Sequence, residues 1–335
     1  MATVREIAER AHVSIATVSR VLNGSARVSE ETRLIVLHAA HELGYSMTRL
    51  RTTPQVSRSV LVLTREEAAE TQNGASPAGG EFERRVWVGV HSYLEQRGIA
   101  ARLQHSNVTP EEARLHASDI GVSGLVLLGG VRDRAFVREL QTLEIPFVIA
   151  GAHLHPIELN CVMADVGQGI RQAMQHLIAC GRRRIGFVNG PSTTTTSAEK
   201  LDAYHLMVYQ NGLPFEPEQV VVSDFSAESG YQQTRLLLQH NTDLDAVLFA
   251  DDIIALGGMR AIREHGLQVP HDLAVIGFGD YELAQYVSPA LTSVQFDMHR
   301  MGVIAARRLC MLFDEPDDDP WLIRIPTGLI VRDSA

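Results

Sequence analysis

Apolar residues recur at three- and four-residue spacing over the first 45 residues, which is the pattern of short amphipathic helices. A capping box from Thr3 to Glu6 begins the first helix, and Ser14 and Ser29 stand at the N-cap positions of a second and a third. The second helix stops before Gly24 and the third before Gly44. The pattern therefore predicts three helices that share one small core.

The second helix has two faces of different character. Val18, Val21 and Leu22 face the predicted core, whereas the outer side is short and polar and holds no acidic group. Such a face suits close approach to phosphates and base edges in the major groove of DNA. We therefore expect DNA contacts from Thr3, Ser14, Ile15, Ala16, Thr17, Ser19, Arg20 and Asn23.

From Ser59 the pattern changes to short apolar runs that alternate with helical stretches. This alternation predicts parallel strands with helices on both faces, a doubly wound α/β body. These strand–helix units are more than a single open sheet usually contains, so two similar lobes are expected. A ligand cleft is expected between the carboxyl ends of their strands. Strands are predicted at 60–63, 101–104, 125–128, 147–150, 185–189, 220–222, 246–249 and 274–277, and helices at 82–96, 111–118, 135–143, 167–180, 198–211, 228–240, 253–265 and 298–313.

Charge separates the head from the body. The 335 residues carry a formal net charge of −10, but residues 1–60 hold eight Arg and five acidic residues, a net +3 that leaves −13 for the remainder. An acidic body repels phosphate, so nucleic-acid contact is expected from the head and the segment after it. The three Cys show no metal or disulfide spacing, and no apolar run reaches membrane-spanning length. We therefore expect a cytoplasmic protein with no bound metal and no membrane partner.

Several runs of residues resemble one family. Residues 3–8, 13–24, 28–33 and 43–45 resemble the head of the lactose and galactose repressor (LacI/GalR) family of bacterial transcription regulators. The resemblance continues through the body, for example at 181–187, 275–278 and 291–294.

The resemblance implies a domain organisation. Residues 1–45 would be a helix-turn-helix DNA-binding head, 46–58 a hinge, and 59–335 a two-lobed, periplasmic-binding-protein-like body that dimerises and binds an effector. Lobe one would span about 59–163 and 292–319, and lobe two about 164–291 and 320–335.

The head and hinge depart from the family pattern at two places. His12 stands at a turn where the family usually has Gly, so a positive φ is expected there. The family's hinge helix wedges a Leu into the minor groove, but Pro54 occupies that position here, one helical turn after Leu50. Either Leu50 is the wedge, or residues 46–58 are a flexible linker whose Arg side chains contact phosphates.

The resemblance also places effector contacts in the body. Phe225 matches an aromatic platform, with a buried core Phe as the alternative. Asp251 and Asp252 follow a strand, where they accept ligand hydrogen bonds, cap the next helix, or do both. The expected effector contacts are Phe82, Ala198, Lys200, Phe225, Asp251, Asp252 and Asp280.

The usual sugar clamp is incomplete in this chain. Ala198 replaces an Arg that sugar-binding members often use, and Gly279 replaces the first Asp of a Gly-Phe-Asp-Asp run. The effector is therefore expected to be gripped differently or to be another metabolite. A cyclic, hydroxylated or amino-bearing molecule suits a stacked ring and a carboxylate better than a strongly anionic ligand does. Residues 64–81 form an insertion beside the cleft mouth, either a lid or a disordered loop.

Motifs for competing chemistry are absent from the sequence. Gly277 and Gly279 are not followed by the third Gly of a dinucleotide fingerprint, and no phosphate loop is present, so no cofactor is expected. His153 and His155 are more typical of a solvated loop than of a metal site. The sequence predicts a homodimeric repressor that binds a pseudo-palindromic operator in double-stranded DNA under the control of a small-molecule effector, a sugar or related polar metabolite. The alternatives are an enzyme with a fused DNA-binding head and a transport-type binding protein.

Overall fold

A computed structural model gives the fold of the protein. It describes residues 4–22, 28, 32, 35–36, 38–40, 43, 58–64, 79–105, 122–129, 134–142, 145–153, 158–316 and 319–335. These residues form two compact units, divided between Arg58 and Ser59. The predictions for Thr3, Asn23, Leu50, the hinge at 46–57, the insertion at 65–78, the helix at 111–118 and His155 lie outside the described residues.

The head contains the predicted helices and core. Helices α1 (Val4–Arg10) and α2 (Ile15–Leu22) are followed by a third helical stretch that includes Val36 and 38–40. The buried core comprises Ile7, Ala8, Ala11, Val18, Val21, Val36, Ala39 and Ala40. Val36, Ala39 and Ala40 are the residues that the third helical stretch contributes to this core.

The first sheet of the body has six strands, β1 (Ser59–Thr64), β2 (Ala100–His105), β3 (Gly124–Leu128), β4 (Phe147–Ala150), β5 (Cys161–Ala164) and β11 (Leu322–Ile325). Their order is β2-β1-β3-β4-β5-β11, and all neighbours are parallel. The central strands β1, β3, β4 and β5 read as almost continuous apolar runs because helices cover both faces of a parallel sheet, whereas the edge strands β2 and β11 contain polar residues.

The second sheet repeats this architecture. It contains β6 (Ile185–Asn189), β7 (Val220–Val222), β8 (Ala246–Phe249), β9 (Ala274–Gly279), β10 (Thr292–Phe296) and β12 (Thr327–Ile330), in the order β7-β6-β8-β9-β10-β12. Only the β10–β12 pair is antiparallel among these described strands. Each sheet reverses its strand order next to its first strand, which is the switch point where doubly wound sheets bind ligands.

The helices of the body agree with the predicted ones to within a few residues. They are α3 (Gly79–Glu95), α4 (Arg134–Gln141), α5 (Val166–Ala179), α6 (Thr195–Gln210), α7 (Ala227–His240), α8 (Asp252–Glu264) and α9 (Met298–Asp314). Short 3₁₀ segments lie at Pro217–Gln219 and Glu282–Gln285. In the described parts of the chain, no helix is long and apolar enough to cross a membrane.

The chain passes between the lobes at three places, and two of them differ from the prediction. The first crossing follows β5 at Asp165, close to the predicted residue 163. The other two crossings lie five and six residues after the predicted positions near Thr292 and Pro320, because β10 pairs within the second sheet through Phe296 and β11 pairs within the first through Ile325. The chain therefore crosses at Asp297 and Pro326. Lobe one here denotes the first sheet with its helices, and lobe two the second.

Candidate functional site

The outer face of the head is built on the turn between α1 and α2. His12 has a φ of +54°, which confirms the expected left-handed turn residue. Ser14 caps α2, since its hydroxyl accepts a hydrogen bond from the backbone N–H of Thr17 at 3.1 Å. Ile15 is 54 % exposed, as a residue available to another molecule should be. Ala16, Ser19 and Arg20 belong to the same helix.

The body places its predicted ligand-binding residues at the carboxyl ends of neighbouring strands. Asp251 lies just beyond β8, and Gly190 lies just beyond β6, the strand beside it. In lobe one, the ring of Phe82 covers Gly129 after β3 and Gly151 after β4. β6 and β8 flank the switch point of the second sheet and β3 flanks that of the first, the places at which doubly wound sheets bind ligands.

Asp251 and Asp252 have separate environments although they are adjacent. One carboxylate oxygen of Asp251 caps α8 by accepting from the N–H of Ile253 at 2.8 Å, and the other accepts from the Tyr281 hydroxyl at 2.9 Å. The N-cap interpretation of Asp251 is therefore confirmed. Asp252 is 1 % exposed and accepts from the Ser293 hydroxyl at 2.6 Å and the Tyr281 N–H at 2.7 Å.

Lys200 is a buried cation beside these carboxylates. Its ammonium group donates to the carbonyl oxygen of Ala250 at 2.6 Å and lies 3.9 Å from the centre of the Phe278 ring. Burial lowers the pKa of Lys200 to about 8, although the charges of Asp251 and Asp252 act to raise it.

Burial also raises the pKa of both carboxylates. It raises the pKa of Asp251 to about 6, while the N–H of Ile253 and the charge of Lys200 act to lower it. The pKa of Asp252 rises to about 7, because burial and the charge of Asp251 both disfavour its ionised form. The three groups form a coupled cluster at the end of β8.

A row of aromatic rings leads from this cluster to lobe one. The Phe278 ring is 6.1 Å from that of Phe296, and the Phe296 ring is 6.4 Å from that of Phe82. Rings at these separations pack favourably in tilted arrangements. Phe82 lies in the first turn of α3, in lobe one, so the row of rings joins the two lobes.

Polar contacts also join the lobes. The Glu81 carboxylate of lobe one accepts from the N–H of Glu282 at 3.0 and 3.3 Å. Arg324 of β11 donates two hydrogen bonds, at 2.9 and 2.8 Å, to Glu199 of α6. The Thr195 hydroxyl donates to the carbonyl of His153 at 2.7 Å. A change in the angle between the lobes would break contacts of this kind.

Phe225 lies after β7 in an unusual backbone conformation. Its φ is +72°, in the left-handed region that residues other than Gly rarely adopt. The ring packs against Gly190 so closely that a Cβ there would overlap it, and Phe225 is partly rather than fully buried. Strained residues held by their surroundings are frequent at ligand sites, which favours the platform interpretation.

Two further predicted contacts have other surroundings. Asp280 forms an ion pair with Arg332 at 2.6 Å and accepts from the Gln295 amide at 3.0 Å. Ala198 is exposed on α6 and offers only a methyl group.

The sequence interpretation missed Tyr281, Ser293 and Glu81. Tyr281 and Ser293 contact Asp251 and Asp252 from 30 and 41 residues away, so no local spacing links them. Glu81 is the acidic residue in the first turn of α3, a signal that indicates a helix start but no partner in the other lobe.

Comparisons with known proteins agree with this architecture. A family model described as "Bacterial regulatory proteins, lacI family" matches residues 3–47, and one described as "Periplasmic binding protein-like domain" matches residues 174–335. The HTH-type transcriptional regulator CelR of Thermobifida fusca is 32 % identical over 99 % of this chain and 98 % of its own length. The chain belongs to the lacI family of bacterial regulatory proteins. It is a DNA-binding regulator of transcription.

Other members of the lacI family resemble it over their whole length. The probable HTH-type transcriptional repressor ExuR of Bacillus subtilis is 28 % identical over 100 % of this chain and 98 % of its own. Among solved structures, a CelR–cellobiose complex has a TM-score of 0.75 at 31 % identity, covering 100 % of both chains. A Lac repressor dimer bound to operator and an anti-inducer has a TM-score of 0.71 at 26 % identity, covering 99 % of this chain and 98 % of that one. These relatives are named as regulators rather than as enzymes.

Proposed function

We propose that the protein is a homodimeric repressor whose affinity for its operator is controlled by a neutral sugar bound between the lobes. The observation that carries the proposal is the convergence of Asp251 and Lys200 of lobe two with an aromatic row that ends at Phe82 of lobe one. Sugars have apolar ring faces for stacking and hydroxyl groups for carboxylates. The cellobiose complex of CelR and the operator-bound dimer of Lac repressor support the ligand class and the assembly.

The charges around the cleft favour a neutral ligand over an anionic one. Asp251 is influenced by the charge of Glu81 from lobe one, and Lys200 already holds the carbonyl of Ala250 and the ring of Phe278. A phosphate group would meet carboxylates there and compete with established partners for the ammonium group. A sugar hydroxyl needs only an acceptor.

We assign ligand contact to Phe82, Phe225 and Asp251, with Lys200 as a positioning residue. Asp252 and Asp280 are left out of the ligand contacts, because their carboxylates hold the 280–282 segment and Arg332. Ala198 is left out because a methyl group cannot replace the hydrogen bonds of an Arg.

Ligand binding at Phe225 is tested by Phe225→Ala, measured by isothermal titration calorimetry with cellobiose and other neutral sugars. Loss of one stacked ring should weaken binding by about 1–3 kcal/mol, which is about fivefold to 150-fold. Phe215→Ala is the matched control, since that ring is 37 % exposed and packs edge-on against the rings of His205 and Tyr204. Equal affinities for both variants would contradict the assignment.

DNA reading by α2 is tested by Arg20→Ala. If Arg20 contacts a guanine edge, the variant should lose about 1–3 kcal/mol of specific operator binding and retain its fold. Arg102→Ala, an exposed Arg on β2 of the body, serves as the charge-matched control. Operator affinity is measured by fluorescence anisotropy at one fixed salt concentration. An Arg20→Ala affinity equal to the control's would rule out this contact.

We also infer that the protein is a regulator and not an enzyme with a fused head. The buried groups at the end of β8 are engaged in holding loops and a helix start, and the relatives are regulators. Turnover of a bound sugar by the purified protein, detected by mass spectrometry, would contradict this inference.

A further inference from the structure

Tyr281 occupies the position at Asp251 where a ligand hydroxyl is expected. Its phenol donates to one Asp251 oxygen at 2.9 Å, while the other oxygen is committed to the start of α8. A ligand can therefore use the Asp251 oxygen that faces Tyr281, and the Tyr281 hydroxyl already donates a hydrogen bond to it. Tyr281 itself is 8 % exposed.

The absence of a side chain at Gly279 leaves room for the ring of Tyr281 in this position. A Cβ at residue 279 would lie 2.9–3.3 Å from three ring carbons of Tyr281, closer than side chains normally pack. The backbone bends sharply here, with φ of +128° at Gly279 and +50° at Asp280. The ring thus fills space that a side chain at residue 279 would otherwise take.

The segment that carries Tyr281 is held from both lobes. Its own N–H donates to Asp252 of lobe two at 2.7 Å, and the next N–H, that of Glu282, donates to Glu81 of lobe one. In contrast, the hydrogen bond from the Tyr281 hydroxyl joins two side chains, those of Tyr281 and Asp251. A sugar hydroxyl can donate the same type of bond to Asp251 in its place. A carboxylate oxygen can accept a second hydrogen bond, so a ligand hydroxyl at this oxygen either shares it with the phenol or replaces the phenol.

We propose that Tyr281 is a specificity-determining residue of the effector site, because its hydroxyl competes with ligand hydroxyls for Asp251. This inference rests on the proposed function of the cleft. A sugar binds only if its other contacts, with the aromatic rings and lobe one, outweigh the loss of the phenol contact. Ligands that depend on Asp251 alone are rejected.

Tyr281→Phe tests the proposal because it keeps the ring and removes only the hydroxyl. In the free variant, one oxygen of Asp251 loses its partner, so a sugar hydroxyl gains a bond without displacing one. We expect cellobiose or D-ribose, titrated calorimetrically into the full-length protein, to bind the variant about tenfold more tightly than the parent. Tyr286→Phe is the matched control, since Tyr286 lies five positions on in the same segment and is 71 % exposed.

Two results overturn the proposal. One is that neither sugar binds Tyr281→Phe more tightly than the parent, including the case in which neither protein binds either sugar. The other is that Tyr286→Phe tightens binding equally. Thermal unfolding verifies that both variants fold. The operator affinity of the parent is also measured with and without each sugar. If a sugar changes this affinity, the proposed function holds even when Tyr281 does not compete with the ligand, so the two failures can be told apart.

Discussion

At the scale of single residues, Asp251 and Asp252 divide two tasks between adjacent carboxylates. Asp251 caps a helix and faces Tyr281, whereas Asp252 is buried beneath the 280–282 segment and holds it. The position of the pair could be predicted, since two Asp directly after an apolar run indicate a strand end and a helix start. Their partners could not, because Tyr281 and Ser293 reach them only through the pairing of strands β8, β9 and β10.

The pKa of Asp252 makes a pH-dependent prediction. The folded value of about 7 lies above the ordinary 3.8, so the folded protein holds this proton more tightly than the unfolded chain does. The resulting stabilisation is complete below the unfolded value and is lost as pH rises through the folded one. Asp252→Asn, which has no proton to lose, should therefore gain stability relative to the parent between pH 4 and 8, on the order of 2–4 kcal/mol.

Urea unfolding of both proteins across this pH range measures the difference. A constant offset between Asp252→Asn and the parent would mean that Asp252 keeps one charge state throughout. A difference that shrinks as pH rises would contradict the direction of the shift.

At the scale of elements, each lobe contains a helix pair that packs through glycines. A Cβ at Gly89 of α3 would overlap the carbonyl of His299 on α9, and one at Gly302 of α9 would overlap that of Val86. In lobe two, Gly230 of α7 and Gly257 of α8 meet the carbonyls of Ile254 and Ala227 in the same way. Backbones this close leave no room for a methyl group.

Gly89→Ala should therefore destabilise the body. A methyl group forced against the His299 carbonyl should cost about 1–3 kcal/mol of unfolding free energy. Gly80→Ala on the same helix is the control, because nothing lies within 4 Å of its added Cβ and Ala is the better helix former. Chemical denaturation of both variants gives the comparison. If Gly89→Ala is as stable as Gly80→Ala, the helices do not pack as closely as described.

The helices could be predicted well and the strands less completely. Apolar periodicity placed α5 to α9 within a few residues, because each buries one long face. Strands β5, β10, β11 and β12 have only four or five residues and were not predicted. Two of them, β11 and β12, lie at sheet edges and contain polar or exposed residues. Their sequences therefore carry no continuous apolar run.

At the scale of the whole molecule, the sequence predicts two lobes, but the exact residues at which the chain passes between them depend on the tertiary structure. The crossings at Asp165 and Asp297 double as helix N-caps, and Pro326 separates two strands that join different sheets. Which sheet a short strand joins depends on its partner, over 150 residues away for β11, and not on its own residues. Family resemblance placed these crossings only approximately.

The regulatory account needs the two compact units to act together. The head carries the net positive charge and the polar outer face of α2, whereas the body carries the cleft with Asp251, Lys200 and the aromatic row. A ligand controls DNA binding only if it has different affinities for the states that do and do not hold the operator.

Operator affinity in the presence and absence of a sugar is the most direct test of this account. DNA sites are first selected from random duplexes by the full-length protein, and their affinity is then measured by fluorescence anisotropy while neutral mono- and disaccharides are added. We predict that at least one sugar lowers operator affinity by about tenfold, within the usual range of allosteric coupling, and that Phe225→Ala shifts this response to higher sugar concentrations. Failure to select any specific duplex, or an operator affinity that no sugar changes, would contradict the account.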